Sequence, residues 1–494
     1  MNQAAHRALA VGRVRRSVPA MILLALTALA AFLRLHQLSG HGLWLDEACS
    51  VLYAHLPAAK FSRLMWKQEG NMVLYYLLLR AWVHVGDTEF LLRFPSVLFS
   101  VASIPMIYRL ARDLFSKTTG LIAAALLSVH WFHIFFSQDA RSYALLIFLL
   151  LLSSWLFWHF AESPERRLYR YSYPAVSALA MYAHIFAILV VAAQWLSLDP
   201  IRARRIRWRR SVAVLAAFFL LALPMEAFAL LRNKGQLIWV PRATIQAFAD
   251  AISAMAGFEN RQFLLLALAL GLSLLAIVNA YRSASDQSKF AVRLAALWVI
   301  IPIAATLAYS LRRPLFFSRF LVICVPGLLL LVAEGVAVIE RSATRLRWFW
   351  VPLLAVTLVM SLRATWHYYR APMWPDWNAA TRLILVNQQP GDGICFAGNG
   401  VEPFLYYMQR QTSTPWHALP DVHRHLGFKC LNNSADPRFD ERIGFRRVWL
   451  ITTDPSPQEK DGIETELVPR YGHPASREIF SGPIIVALLP GAAS

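Results

Sequence analysis

Three short segments of this chain carry side chains able to do chemistry at a membrane surface. The first is Gly42-Leu43-Trp44-Leu45-Asp46-Glu47-Ala48, where two adjacent carboxylates follow a long hydrophobic stretch. An acidic pair at the mouth of a membrane helix is costly to desolvate, so it is best placed in a wet cavity at the bilayer surface. There Asp46 or Glu47 can act as a general base on an acceptor hydroxyl or amine, or hold a divalent cation against a phosphate. The plainer reading is a helix start, because acids favour N-terminal turns. The second segment is Ser137-Gln138-Asp139-Ala140-Arg141-Ser142-Tyr143, a polar break between two hydrophobic runs. Any turn between membrane helices is polar, yet two acids from separate loops, Asp46 and Asp139, would suit metal binding or acid–base work. The third is Arg312-Arg313-Pro314-Leu315-Phe316-Phe317-Ser318-Arg319-Phe320. A guanidinium can donate two parallel hydrogen bonds to a phosphate, while the bland alternative is snorkelling to lipid headgroups. His184, in Tyr182-Ala183-His184, reads equally as a ligand or as a hydrogen-bonded interfacial histidine.

The elements that must position these residues are membrane helices. Of 494 residues, 57% are hydrophobic and only 16% charged, which lies outside ordinary soluble composition. A bilayer core takes about 20 apolar residues per helix. Candidate spans fall at 18–38, 90–111, 119–136, 142–161, 211–231, 263–280, 294–311, 319–340 and 348–366. The stretch 173–199 is too long for one span and is expected to break at His184 into two short helices, giving about eleven helices in all. The N-terminus is basic and then apolar, but its apolar run continues to Leu38 without a small-residue cleavage site, so it reads as a membrane helix.

Basic residues choose the orientation. Arg13, Arg15 and Arg16, then Arg109, Arg112 and Lys117, the cluster from Arg202 to Arg210, then Arg282, Lys289 and Arg293, and Arg341, Arg345 and Arg347 fall in alternate, hence cytoplasmic, loops. The loops 39–89, 137–141, the turn near His184, 232–262 and 312–318 and the tail from about 367 then face outward, and Asp46-Glu47 with them. The formal charge of +20 needs no nucleic acid, because much of it lies in loops that meet anionic headgroups.

The sequence therefore divides into a membrane domain, 1–366, and an outer domain, 367–494. The first outward loop, 39–89, is long enough to carry function, and the aromatic residues of 57–85, among them Trp66, Tyr75, Tyr76 and Trp82, suit helices lying in the interface. In the tail, Ile394-Cys395-Phe396 and Val448-Trp449-Leu450-Ile451 read as buried strands of a small α/β domain. Of four cysteines, Cys324 packs as a small hydrophobe. Cys395 and Cys430 both lie in the tail, where a disulfide can persist, although spacing alone leaves their pairing open. No zinc-ligand spacing and no glycine-rich phosphate loop occurs.

Taken together, Leu43-Trp44-Leu45-Asp46-Glu47-Ala48, Leu74-Tyr75-Tyr76-Leu77-Leu78, Glu89-Phe90-Leu91-Leu92-Arg93-Phe94-Pro95-Ser96 and Ser137-Gln138-Asp139-Ala140-Arg141-Ser142-Tyr143 resemble the GT-C superfamily of membrane glycosyltransferases. More narrowly they are similar to the bacterial relatives of protein O-mannosyltransferases and of the lipid A aminoarabinose transferase, glycosyltransferase family 39. Tyr182-Ala183-His184 and Phe317-Ser318-Arg319-Phe320-Leu321 are further echoes. The resemblance implies a mainly α polytopic fold in the bacterial cytoplasmic membrane, with the tail outside. It implies transfer of a sugar from a polyprenyl-phosphate donor to a lipid, glycan or protein acceptor, without a nucleotide cofactor. Asp46 falls at the expected base, with Glu47 in support and Asp139 at the second acidic position. Arg319, Arg141 and Arg313 would hold the donor phosphate, and Tyr75, Asn71, His184 and Tyr143 the substrates. A divalent metal at Asp46 and Asp139 is compatible with this. Relatives often carry His-Pro-Pro where this chain has Asn71-Met72-Val73, which bears on acceptor geometry. A transporter or flippase of lipid-linked sugars is the alternative from another class, although neither internal repeats nor mid-membrane charges are evident. A non-catalytic scaffold and an inactive transferase relative are further readings. The sugar and acceptor are not encoded legibly, because specificity would reside in 232–262 and the tail.

Overall fold

The computed structural model describes residues 2–231, 240, 244–257, 263–343, 345–370, 375–419, 429–431, 445–482 and 484–491. Much of the loop 232–262 lies outside the described residues. The chain forms two compact units: 1–36, 64–75 and 93–370 make the first, and 37–63, 76–92 and 371–494 the second. The division expected from the sequence kept 39–89 with the membrane helices, whereas here the flanks of that loop group with the tail.

The first unit is helical. Among the described residues seven helices are long and apolar enough to cross a membrane: Val18–Leu35, Glu89–Leu114, Tyr143–Glu162, Trp208–Leu231, Asp286–Ser310, Ser318–Glu340 and Arg347–Arg370. An eighth span is added if the bent pair Lys117–Val129 and Trp131–Ser137 counts as one, and Ala187–Leu196 and Leu266–Arg282 are shorter apolar helices. Most of the expected spans are thus present as helices. The run 119–136, expected as one straight span, instead bends by 59° at His130, whose backbone is extended. The expected break of 173–199 falls at His184, also extended, between helices Arg167–Ala183 and Ala187–Leu196. Close packing relies on small residues: a side chain at Gly335 would strike the Leu272 backbone of the neighbouring helix, and one at Gly327 the Ala295 carbonyl.

The second unit contains the loop helix Leu45–His55 and a five-stranded sheet. Its strands are β1 (Asp392–Gly398), β2 (Lys429–Leu431), β3 (Arg447–Thr453), β4 (Ser476–Phe480) and β5 (Ile484–Leu489), in the order β2-β1-β3-β5-β4. β1 and β3 are parallel and the other pairs antiparallel. The two apolar runs expected as buried strands are the centres of β1 and β3. Cys395 and Cys430 stand opposite each other on β1 and β2 and are joined as a disulfide, which answers the pairing that spacing left open. Asp392 opens β1 almost fully buried; it receives two hydrogen bonds from the Arg447 guanidinium, at 2.9 and 2.7 Å, and one from the Trp449 indole at 3.1 Å. Burial alone would raise this carboxyl, but these donors and the Gln389 amide outweigh it and hold Asp392 below the usual carboxylate range.

Candidate active site

In the second unit the acidic pair sits in the first turn of helix Leu45–His55. The helix begins because Trp44 is extended and Asp46 and Glu47 favour the positive end of the helix dipole. It ends at Leu56, which the following Pro57 biases to extended backbone. Both acids are buried, Glu47 completely. The Glu47 carboxylate accepts a hydrogen bond from the Trp44 amide at 3.4 Å, so the helix-start reading accounts for Glu47.

Tail residues anchor this helix within the unit. The Leu43 amide donates to the Tyr407 hydroxyl at 2.8 Å, and Gly42 must be glycine because a Cβ there would come 2.8 Å from the Pro375 carbonyl. At the other end His55 stacks on Trp416 with ring centroids 4.0 Å apart, and Arg80 donates to the Ala54 and Leu56 carbonyls. Burial, joined by the His84 and Arg80 charges and opposed by Asp87, pushes the His55 imidazole down to about 4. Asp87 in turn pairs with Arg410 at 2.7 Å and accepts the Tyr406 hydroxyl on its carbonyl.

In the first unit Asn71 and Tyr143 lie against His184. The Asn71 carbonyl oxygen accepts from the Ile185 amide at 3.0 Å, and its amide nitrogen lies 3.3 Å from His184 Nε2. Asn71 stands in an irregular stretch, a π turn over Met65–Glu69 followed by a 3-10 turn over Gly70–Met72, a distortion often found at functional sites. The His184 ring packs with Tyr143 at 6.1 Å and with Phe320 at 6.0 Å. Arg141 is close enough for its charge to act on His184. Arg319 lies on the 3-10 segment Ser318–Cys324, with its guanidinium 5.0 Å from the centre of the Phe317 ring. Asp139 is buried in the turn that Arg141 closes, its carbonyl accepting from the Arg141 amide at 2.7 Å.

Two candidates take other positions. Tyr75 is fully buried; its hydroxyl meets Ser96 Oγ at 2.9 Å, and Ser96 donates to the Arg141 carbonyl at 3.2 Å. Arg313 is exposed in the turn after helix Asp286–Ser310. Neither Asp46 nor Asp139 belongs to a group of three His, Cys, Asp or Glu side chains able to hold a metal, among the described residues. Ser96 and Gln138 take part although sequence reasoning gave them no role. Both lie inside the quoted motifs, which was the available signal.

The helices that break at His130 and His184, joined to a tail bearing a small sheet, form a fold that solved structures of other proteins share. Residues 71–228 match the family model described as dolichyl-phosphate-mannose-protein mannosyltransferase. The structure is similar to that of ArnT from Cupriavidus metallidurans in the apo state, with a TM-score of 0.60 at 11% identity over 94% of this chain and 97% of that one. ArnT bound to undecaprenyl phosphate matches with a TM-score of 0.58 at 10% identity and the same coverage. The Archaeoglobus fulgidus oligosaccharyltransferase in the apo form matches with a TM-score of 0.54 at 10% identity, over 80% of this chain and 60% of that one. A search of curated protein sequences finds no match. The apolar helices and this fold together make the chain a multi-pass membrane protein.

Proposed function

We propose that the protein transfers a sugar from a polyprenyl-phosphate donor to an acceptor on the extracytoplasmic face of a bacterial cytoplasmic membrane, in a single displacement with inversion. The observation that carries this reading is the gathering of Arg141, Tyr143, His184 and the Phe317–Phe320 segment at the helix breaks of the first unit. Cations fixed there would stabilise the leaving phosphate where its charge develops. The family match over 71–228 and the undecaprenyl phosphate bound by ArnT support the donor class.

In this reading Arg141 and Arg319 hold the phosphate oxygens, and exposed Arg313 meets the anionic headgroup as it arrives. Asp46 takes the proton of the acceptor hydroxyl or amine as that atom bonds to the anomeric carbon. The bond from that carbon to the phosphate oxygen breaks, and the polyprenyl phosphate leaves with the electron pair. Glu47 fixes the start of the helix that carries Asp46, and Asp139 is the second acid of the site. Asn71, Tyr143 and His184 orient the sugar, whereas Tyr75 acts through Ser96 on the backbone of Arg141. Asp46 and Asp139 would hold a divalent cation against the phosphate if one is bound, and no step is routed through it.

The test is transfer of radiolabelled sugar from a panel of polyprenyl-phosphate sugars to membrane extracts by the intact protein, Asp46→Asn and Arg319→Ala. The reading requires transfer by the intact protein, loss in Asp46→Asn at unchanged folding, and a reduced kcat/KM in Arg319→Ala. Failure of every donor, or full activity of Asp46→Asn, overturns it.

A further inference from the structure

We infer that Arg34, at the end of the first membrane helix, is a positioning residue that builds the helix break leading to Asp139 and Arg141; its bearing on catalysis rests on the transferase reading above. Arg34 is completely buried. A guanidinium has five N–H donors, and each finds an acceptor here. Nε donates to Ser100 Oγ at 2.6 Å, Nη1 to the Ala30 and Ser128 carbonyls at 3.1 and 2.8 Å, and Nη2 to the Leu127 carbonyl at 3.1 Å and to His133 Nδ1 at 2.9 Å. None of these partners is a carboxylate.

Helix Lys117–Val129 stops in the membrane part of the chain, and its last carbonyls lose their intrahelical partners. Such a break persists in a bilayer only where other groups satisfy that backbone. Arg34 takes the Leu127 and Ser128 carbonyls, and the Ser361 and Thr365 hydroxyls take that of Val129 at 2.9 and 3.3 Å. The cation also complements the negative end of the helix dipole. The next helix, Trp131–Ser137, is seven residues long and ends at Gln138. The Gln138 amide donates back to the Arg34 and His36 carbonyls at 2.9 and 2.7 Å, and its oxygen accepts from the Tyr368 hydroxyl at 2.9 Å. The side chain of Arg34 thus fixes where the short helix begins and its backbone fixes where it ends. Asp139, Ala140 and Arg141 follow directly.

The test reads the position of this turn without needing activity. Ala140 is completely buried, as is the free thiol of Cys324 in the same unit. In full-length protein carrying Ala140→Cys, labelling by a charged maleimide is followed at both sites by peptide-resolved mass spectrometry. Arg34→Met is expected to raise labelling at position 140 about tenfold or more, because the freed carbonyls must find new partners, while Cys324 stays unlabelled. Arg34→Lys, which keeps the charge with three donors, falls between. Tyr368→Phe releases only the Gln138 end and raises labelling in the same direction by less. An unchanged rate at position 140 in Arg34→Met overturns the inference, and so does parallel labelling of Cys324 in both Arg34→Met and Tyr368→Phe. Should Cys324 label in Arg34→Met alone, Tyr368→Phe decides by the same criterion. If the protein transfers sugar, Arg34→Lys lowers kcat with little change in KM; absence of transfer in the intact protein would fault the transferase reading and leave the labelling result standing.

Discussion

Asp46 and Glu47 are neighbours to which the proposed mechanism gives different work. Glu47 closes onto the Trp44 amide, so Glu47→Ala is expected to cost about 0.5–2 kcal/mol of stability, as loss of an N-terminal cap does, with Glu47→Gln close to the parent in thermal unfolding. Asp46→Asn should cost no more than about 0.3–1 kcal/mol of stability, the worth of a first-turn acid on the helix dipole, and lower kcat by roughly 10²–10⁴, the usual worth of a general base. If Glu47→Gln proved the inactive variant and Asp46→Asn the active one, the two assignments would be exchanged. The acidic pair was legible because carboxylates beside a membrane helix are rare and expensive. Arg34 was not legible. An arginine ending an apolar run reads as a headgroup anchor, and its acceptors lie as far as 99 residues away in the chain, where no local pattern can show them. Asn71 reads in the sequence as a departure from the family, but in the fold it has its own partners at Ile185 and His184.

Among the elements, the break at His184 was legible because 173–199 is too long for one span, whereas the bend at His130 was not. The run 119–136 has the length of a span and no proline, and its break depends on Arg34, Ser361 and Thr365 from distant helices. Helix packing gives another prediction. Gly335 lies against the Leu272 backbone, so Gly335→Leu must separate the two helices and is expected to cost about 1–3 kcal/mol of stability by overpacking, read as a lower melting temperature in detergent; an unchanged melting curve would show that they do not pack this closely. In the sheet, the lowered pKa of Asp392 sets an acid dependence. The unfolded chain binds a proton near the ordinary carboxylate pKa of about 3.9, above where the folded chain does. This contribution is therefore fully present above about pH 4 and lost as pH falls through the folded value. Asp392→Asn should melt lower than the parent at pH 7 and lose less stability between pH 5 and pH 3, as followed by thermal unfolding.

At the scale of the whole molecule, composition alone announced a polytopic membrane protein, and the two apolar runs of the tail announced its strands. The grouping of 37–63 and 76–92 with the tail was hidden, because it rests on contacts such as Leu43 with Tyr407 and Asp87 with Arg410, across more than 300 residues. Removal of divalent cations tests the chemistry at this scale. Transfer that continues in excess EDTA would mean that the carboxylates act without a metal, and a loss restored by one added cation would require one in the mechanism. The most direct test of the central claim follows covalent transfer and lipid movement together. Sealed proteoliposomes carrying a labelled polyprenyl-phosphate sugar and an acceptor on the active side would be sampled for labelled acceptor, free polyprenyl phosphate and transbilayer movement of intact donor. A transferase gives labelled acceptor and polyprenyl phosphate in equal amounts, both abolished by Asp46→Asn. Intact donor crossing the bilayer with no labelled acceptor would contradict it.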